Sequence, residues 1–267
     1  MSAPAGTALI TGASSGIGAV YAERLAGRGH DLILVARNVE RLDALAGLLR
    51  TRHGVQVRTM SADLGTPAGV TAVETVLRSD ESITLLVNNA GFGSTAPLLQ
   101  SDPASMTQMI DVNVTALTRL TQAIAPGFVA RGGGTVINIA SIVAIGPELL
   151  NGVYGATKAY VLALSQSLHK ELAAHGVRVQ VVLPGATATR FWDIAGLPVE
   201  HLPEAWVMSA SDLVDAALIG LDRGEFATLP SLMDESEYTA WEAARQSMLG
   251  HLSNASPAER YRLTDRG

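Results

Sequence analysis

Short, almost uninterrupted runs of aliphatic and β-branched residues alternate with longer stretches of helical periodicity along nearly the whole chain. No other feature narrows the fold so far. Runs at Thr7–Thr11, Asp31–Ala36 (DLILVA), Val55–Ser61, Ile83–Asn88 (ITLLVN), Thr135–Ala140 (TVINIA), Val177–Leu183 (VRVQVVL) and Phe226–Leu229 read as strands. Helices are expected from the first glycine-rich turn to about Arg28, then over Val39–Arg52, Pro67–Arg78, Asp102–Ala130, Tyr154–His175 and Ser211–Leu221, with Pro126 ending or kinking the long one. A strand that is apolar along its whole length is buried on both faces, which implies a parallel sheet covered by helices. Right-handed crossovers then give an α/β, doubly wound sheet of about seven parallel strands with helices on both faces.

The composition suits such a core and narrows the partners. Hydrophobic residues make up 48% of the 267 and charged residues only 16%, far from the low hydrophobicity and high charge of a disordered chain. With 19 Lys and Arg against 25 Asp and Glu, the formal charge is −6. That balance argues against nucleic acid and against an anionic membrane surface. There is no cysteine, hence no disulfide, thiolate nucleophile or cysteine-ligated zinc. The six histidines show no zinc-like spacing, and no metal is expected. No apolar run approaches the roughly 20 residues that span a bilayer. Residues 1–10 lack the basic flank and apolar stretch of a signal peptide, so a soluble cytoplasmic protein is expected. One domain is expected over residues 1–267, with 186–208 as a substrate-covering segment rich in Trp and Pro and 251–267 as a polar tail.

The turn after the first strand reads Thr11-Gly12-Ala13-Ser14-Ser15-Gly16-Ile17-Gly18. Gly12 suits the tight turn, Gly16 leaves room for a pyrophosphate, and Gly18 lets the helix close on the sheet. The helix N-terminus then faces the phosphates. The spacing is TGxxxGxG rather than GxGxxG. In order along the chain follow Asp63, Asn88-Asn89-Ala90-Gly91, Asn113, Ser141, Tyr154-x-x-x-Lys158 and Pro184-Gly185, nearly all at the ends of expected strands or the starts of expected helices. This series, from about residue 7 to 230, resembles the short-chain dehydrogenase/reductase family, and the alternation of elements then reads as a single NAD(P)-binding Rossmann-like domain.

In an open α/β sheet, ligands bind beyond the carboxyl ends of the strands where the strand order reverses. The motifs should therefore meet there. An NAD site needs an acidic residue after the second strand. Here Ala36 stands in that place and Arg37-Asn38 follows, so a guanidinium is available for a 2′-phosphate. NADP(H) is expected in preference to NAD(H). Tyr154 and Lys158 share one helix face, where the ammonium should lower the phenol's pKa toward neutrality and make Tyr154 a general acid/base. Ser141 can bond the developing alkoxide.

The resemblance implies further roles. Asp63 and Leu64 would hold the adenine, Asn88 to Gly91 would line the adenosine ribose, and Ser14, Ser15 and Ile17 would belong to the phosphate turn. Asn113 would mark a helix irregularity in a proton relay to Lys158, which would also hold the nicotinamide ribose. Pro184, Gly185, Thr187 and Thr189 would receive the carboxamide, with Thr189 as the hydroxyl contact. Hydride transfer at the pro-S position and a homodimer or homotetramer through residues 105–130 and 154–175 are implied as well.

Phe92, Ile142, Val143, Ile145, Leu149 and Leu150 join the covering segment as apolar candidates, which suits a small hydrophobic ketone, aldehyde or alcohol. The expected function is an NADP(H)-dependent oxidoreductase interconverting the two. The alternatives are a non-catalytic NADP(H) sensor or interaction protein, and a nucleotide-fold methyltransferase that leaves YxxxK and Arg37 unexplained.

Overall fold

The structure, a computed structural model, describes residues 5–261. Of the regions discussed above, residues 1–4 and the end of the expected tail, 262–267, lie outside the described residues. The chain forms two compact units, one ending at Ser231 and the next beginning at Leu232.

The first unit is built on β1 (Thr7–Thr11), α1 (Gly16–Gly27), β2 (Asp31–Ala36), α2 (Val39–His53), β3 (Val57–Ser61), α3 (Pro67–Ser79), β4 (Ile83–Asn88), α4 (Pro103–Ile110), α5 (Leu117–Ala130), β5 (Gly134–Ile139), α6 (Gly152–Leu172) and β6 (Val177–Val182). Then come β7 (Thr187–Ala188), α7 (Phe191–Ala195), β8 (Met208–Ser209), α8 (Ala210–Asp222) and β9 (Ala227–Thr228). Seven strands pair in parallel in the order β3-β2-β1-β4-β5-β6-β9. This is the doubly wound Rossmann-like α/β fold, and its order reverses between β1 and β4.

Successive side chains of a strand point to opposite faces, and the core divides accordingly. Ala8 and Ile10 of β1, with Leu32 and Leu34 of β2, pack against α1, α2 and α8. Leu9 and Ile33 enter the other layer with α3 and α5. The expected long helix over Asp102–Ala130 is interrupted: a π-helical segment, Asp111–Ala116, separates α4 from α5. Pro126 lies inside α5, which runs on to Ala130.

The covering segment 186–208 holds α7, two short 3-10 turns (Val199–His201 and Glu204–Trp206) and the small β7–β8 pair. In the second unit, α9 (Glu235–Met248) is a helix with no buried residue. Among the described residues, no helix is long and apolar enough to cross a membrane.

Candidate active site

A cavity of about 470 Å³ opens beyond the carboxyl ends of β1, β4, β5 and β6. It collects side chains that are remote in sequence but follow these strand ends. The glycine-rich turn contributes Gly12, Ser15, Gly16 and Ile17, and the loop after β4 contributes Asn89, Ala90 and Gly91. Ser141 follows β5, Tyr154 and Lys158 stand on α6, and Pro184, Gly185, Thr187 and Thr189 follow β6.

The turn keeps an open face. Gly12 (φ 66°) and Gly16 (φ 55°) are left-handed, a conformation that glycine adopts without strain. A Cβ at Gly12 would lie 2.9 Å from Ala90 Cα, and one at Gly16 would lie 3.1 Å from the Thr189 methyl. Ser15, the N-cap of α1, makes no side-chain cap bond, whereas Asn38, Thr66 and Asn151 cap α2, α3 and α6. The first turn of α1 therefore presents its N–H groups and positive pole to an anion. These features fit the pyrophosphate of a dinucleotide. Ser14 is half-buried and Gly18 is buried behind the turn. A Cβ at Gly18 would lie 2.5 Å from the Gly12 carbonyl oxygen, so that glycine serves the closure of helix on turn.

The loop after β4 is pinned to β1. The Asn89 amide donates to the Thr11 carbonyl at 2.9 Å, and the backbone N–H groups of Asn89 and Ala90 each donate to Thr11 Oγ1 at 3.0 Å. Asn88 turns the other way, into the core. Its amide donates to Thr121 Oγ1 at 2.9 Å and to Asn138 Oδ1 at 3.0 Å, a use of its side chain that ties β4 to β5 and α5.

At the chemical centre, Asn151 caps α6 by accepting from the N–H groups of Val153 and Tyr154. This fixes the first turn, on which the tyrosine stands. Tyr154 and Lys158 are both buried. The lysine Nζ donates to the Ile139 carbonyl at 2.8 Å and sits 5.9 Å from the centre of the tyrosine ring. Ser141 Oγ donates to the Pro184 carbonyl at 3.3 Å and accepts from Val143 N–H at 3.4 Å, and the same hydroxyl bonds the Tyr154 phenol.

Burial penalises the charged form of each group. It pushes the phenol of Tyr154 up, against the opposing pull of the Ser141 hydrogen bond, and lowers Lys158 from 10.5 to about 8. The expectation that the ammonium lowers the phenol's pKa does not hold in this structure. Desolvation dominates, because the lysine's hydrogen bond goes to Ile139 and the phenol is dry.

Asn113 lies within the π-helical segment, as the expected irregularity implies. Its amide donates to the Phe92 carbonyl at 2.9 Å and to Thr157 Oγ1 at 3.0 Å, and its Oδ1 accepts from Phe92 N–H at 3.1 Å. It thereby ties α6 to the loop after β4 one residue before Lys158.

Arg37, Asn38, Asp63 and Leu64 do not line the cavity. Arg37 is exposed at the end of β2, and its carbonyl accepts from Ser61 Oγ at 3.5 Å. Asn38 spends its side-chain oxygen on capping α2 through Arg41 N–H at 2.8 Å. Asp63 accepts from Gly65 N–H at 3.0 Å, and Leu64 is buried; the N-cap of α3 is Thr66.

Thr187 donates to the Gly185 carbonyl at 3.1 Å, and Thr189 Oγ1 accepts from Phe191 N–H at 3.3 Å. Val143, Leu149, Leu150, Phe191, Ile194, Leu197, Leu202 and Trp206 supply an apolar wall. Phe191 stands 5.5 Å from the Tyr154 ring. Ile139, Ala140 and Arg190 line the cavity but are not among the expected site residues. Ile139 acts through its backbone, which no side-chain pattern reveals. Arg190 is signalled only by a basic residue directly after the Thr-x-Thr string. Among the described residues, no group of three or more His, Asp or Glu is placed to hold a metal.

Comparison with known proteins agrees with this geometry. A family model described as short chain dehydrogenase matches residues 6–195. An uncharacterized oxidoreductase of Staphylococcus epidermidis is 33% identical over 233 residues, which cover 87% of this chain and 95% of its own. The structure of a short-chain dehydrogenase from Sphingobium yanoikuyae in complex with NADPH is 50% identical with a TM-score of 0.94, covering 97% of this chain and 100% of that one. A bulky-bulky ketone specific alcohol dehydrogenase from Comamonas testosteroni is 46% identical with a TM-score of 0.89, covering 97% and 99%.

Proposed function

The chain belongs to the short-chain dehydrogenase family and is an oxidoreductase of CH–OH and C=O groups; from that premise we propose that it uses NADP(H) in preference to NAD(H) and interconverts a bulky, hydrophobic ketone or aldehyde with its alcohol. The observation that carries this reading is the convergence of Ser141, Tyr154 and Lys158 with the glycine-rich turn on one cavity. The NADPH complex of the Sphingobium relative and the ketone specificity of the Comamonas one support it. Membership of an oxidoreductase family supports this reading over a non-catalytic sensor or a methyltransferase.

When bound, the reduced nicotinamide supplies a hydride to the carbonyl carbon. The rest falls to the chain. Ser141 Oγ, preorganised by Pro184 and Val143, bonds the carbonyl oxygen and stabilises the charge that develops there. Tyr154, kept protonated by burial, gives that oxygen its proton. Lys158 would hold the nicotinamide ribose hydroxyls, and Asn113, bonded to Thr157 and Phe92, ties the helix that carries Tyr154 and Lys158 to the loop after β4. The apolar wall excludes water and takes the two large substituents of the substrate.

Turnover is tested by following NADPH oxidation over a panel of carbonyl compounds. Ketones with aromatic or long aliphatic groups on both sides are expected to outpace acetone-sized ones in kcat/KM. A flat profile would remove the substrate class, and no oxidation with any member would remove the reaction.

Cofactor choice is tested separately. Arg37 is exposed and, among the described residues, makes no ion pair. It is thus free to bind a 2′-phosphate through charge-assisted hydrogen bonds, which contribute roughly 1.5–3 kcal/mol. Arg37→Ala is expected to weaken NADPH binding by about tenfold or more while leaving NADH unchanged. An unaltered ratio of the two dissociation constants would make Arg37 an ordinary surface residue.

A further inference from the structure

We propose that Arg190 is a pyrophosphate clamp, binding the dinucleotide from the side of the covering segment opposite the N-terminus of α1. This rests on the NADP(H) reading above. Arg190 follows Thr189, whose methyl group is the atom that a Cβ at Gly16 would meet at 3.1 Å. Residues 189–190 therefore pass directly over the cradle glycine. From there the guanidinium reaches back to the residue that opens α1, its Nη2 donating to Ser15 Oγ at 3.3 Å. Its side chain is exposed and lines the cavity. Among the described residues it forms no ion pair.

A guanidinium at the N-terminus of a helix faces a pole of its own sign. A single bond of 3.3 Å to a neutral hydroxyl is a weak reason for it to stay there. An anion between the two changes the balance. It would accept from the N–H groups of the first turn on one side and from the planar guanidinium fork on the other. Of the phosphates in NADP(H), the one that belongs at this turn is the pyrophosphate. The 2′-phosphate is matched to Arg37 at the end of β2, outside the cavity that Arg190 lines.

The clamp also links cofactor to substrate pocket. Phe191, the next residue, lies against Tyr154 at 5.5 Å and against Trp192 at 5.4 Å, and Trp192 Nε1 donates to the Thr187 carbonyl at 2.9 Å. Holding Arg190 thus holds the start of α7 and the wall it carries.

The test is a fluorescence titration of the wild type, Arg190→Ala and Arg190→Lys with NADPH, NADH and adenosine 2′-monophosphate, which has a 2′-phosphate but no pyrophosphate. Arg190→Ala is expected to raise the dissociation constants of NADPH and NADH by the same factor, about tenfold or more. It should leave that of the monophosphate unchanged. Lys, a point charge without the fork, should fall between. Because the side chain is exposed, unfolding temperatures without cofactor should coincide. Unchanged binding of both dinucleotides, or a loss confined to NADPH, would overturn the clamp while leaving the NADP(H) reading intact. Failure of the wild type to bind either dinucleotide would remove both.

Discussion

Replacing Tyr154 with Phe is expected to lower kcat by between about a hundredfold and ten-thousandfold while leaving the dissociation constant of NADPH within about twofold. The phenol supplies the proton that the substrate oxygen takes up, and Phe has the same ring without it. The ring itself should stay in place. It is held by Phe191 at 5.5 Å and by Gly93, where an added Cβ would come within 3.0 Å of Tyr154 Cδ2. The partner left behind is also provided for, since Ser141 Oγ keeps Pro184 as an acceptor. Folding is therefore little disturbed, and the loss should appear in turnover rather than in the unfolding temperature. Because burial pushes the phenol up, the reductive direction should show no fall from ionisation of Tyr154 at neutral pH. Steady-state rates with NADPH and a good ketone, set beside a cofactor titration, decide the matter. Rates equal to wild type would remove Tyr154 as the acid and leave the proton to another group.

Much of this site is legible in the sequence because its residues fall where runs of one kind of structure end. β1, β2 and β4 are mostly apolar, and each ends within one residue of the end of its apolar run. The glycine turn, Ser141 and Pro184 follow such stops, and Tyr154 and Lys158 share one helix face by spacing alone. Asn113, a poor helix former, is unremarkable by itself and is marked only by the family resemblance; the π-helical segment is where it sits.

What is not legible depends on tertiary surroundings. Nothing local reveals that Asn88 points into the core toward Thr121 and Asn138 while Asn89 points to Thr11. The helix α9 buries no residue, so it leaves no strong apolar stripe to read. The spacing of Tyr154 and Lys158 puts a cation near a phenol, but not the burial that outweighs it. Arg190 meets Ser15 only because the covering segment folds back to the N-terminus of α1.

The buried ammonium of Lys158 leads to a second large effect, in which activity and stability move in opposite directions. Lys158→Met keeps the stem and removes the charge. Turnover is expected to fall by about a hundredfold or more, the range seen when one preorganised donor is lost. Stability of the cofactor-free protein at pH 7 is expected to rise. The folded-state pKa is lowered from 10.5 to about 8 by desolvation. At ~1.4 kcal/mol per pH unit, the buried charge costs the wild type on the order of 3 kcal/mol. Below pH 8 both folded and unfolded wild type carry the proton, and the cost is constant. Between pH 8 and 10.5 the unfolded chain binds more protons than the folded one, so wild-type stability rises through that window. The advantage of Lys158→Met should therefore be full at pH 7 and shrink as pH climbs from 8 toward 10.5. Every other titrating group is common to the two proteins and cancels to first order. Tyr154 does not interfere, since burial keeps its phenol protonated across the window. Unfolding free energies of both proteins at pH 7 and pH 9.5 provide the check. A variant less stable than wild type at pH 7, or a difference independent of pH, would show that Lys158 is not held as a desolvated cation. Its place beneath the tyrosine would then need another explanation than charge.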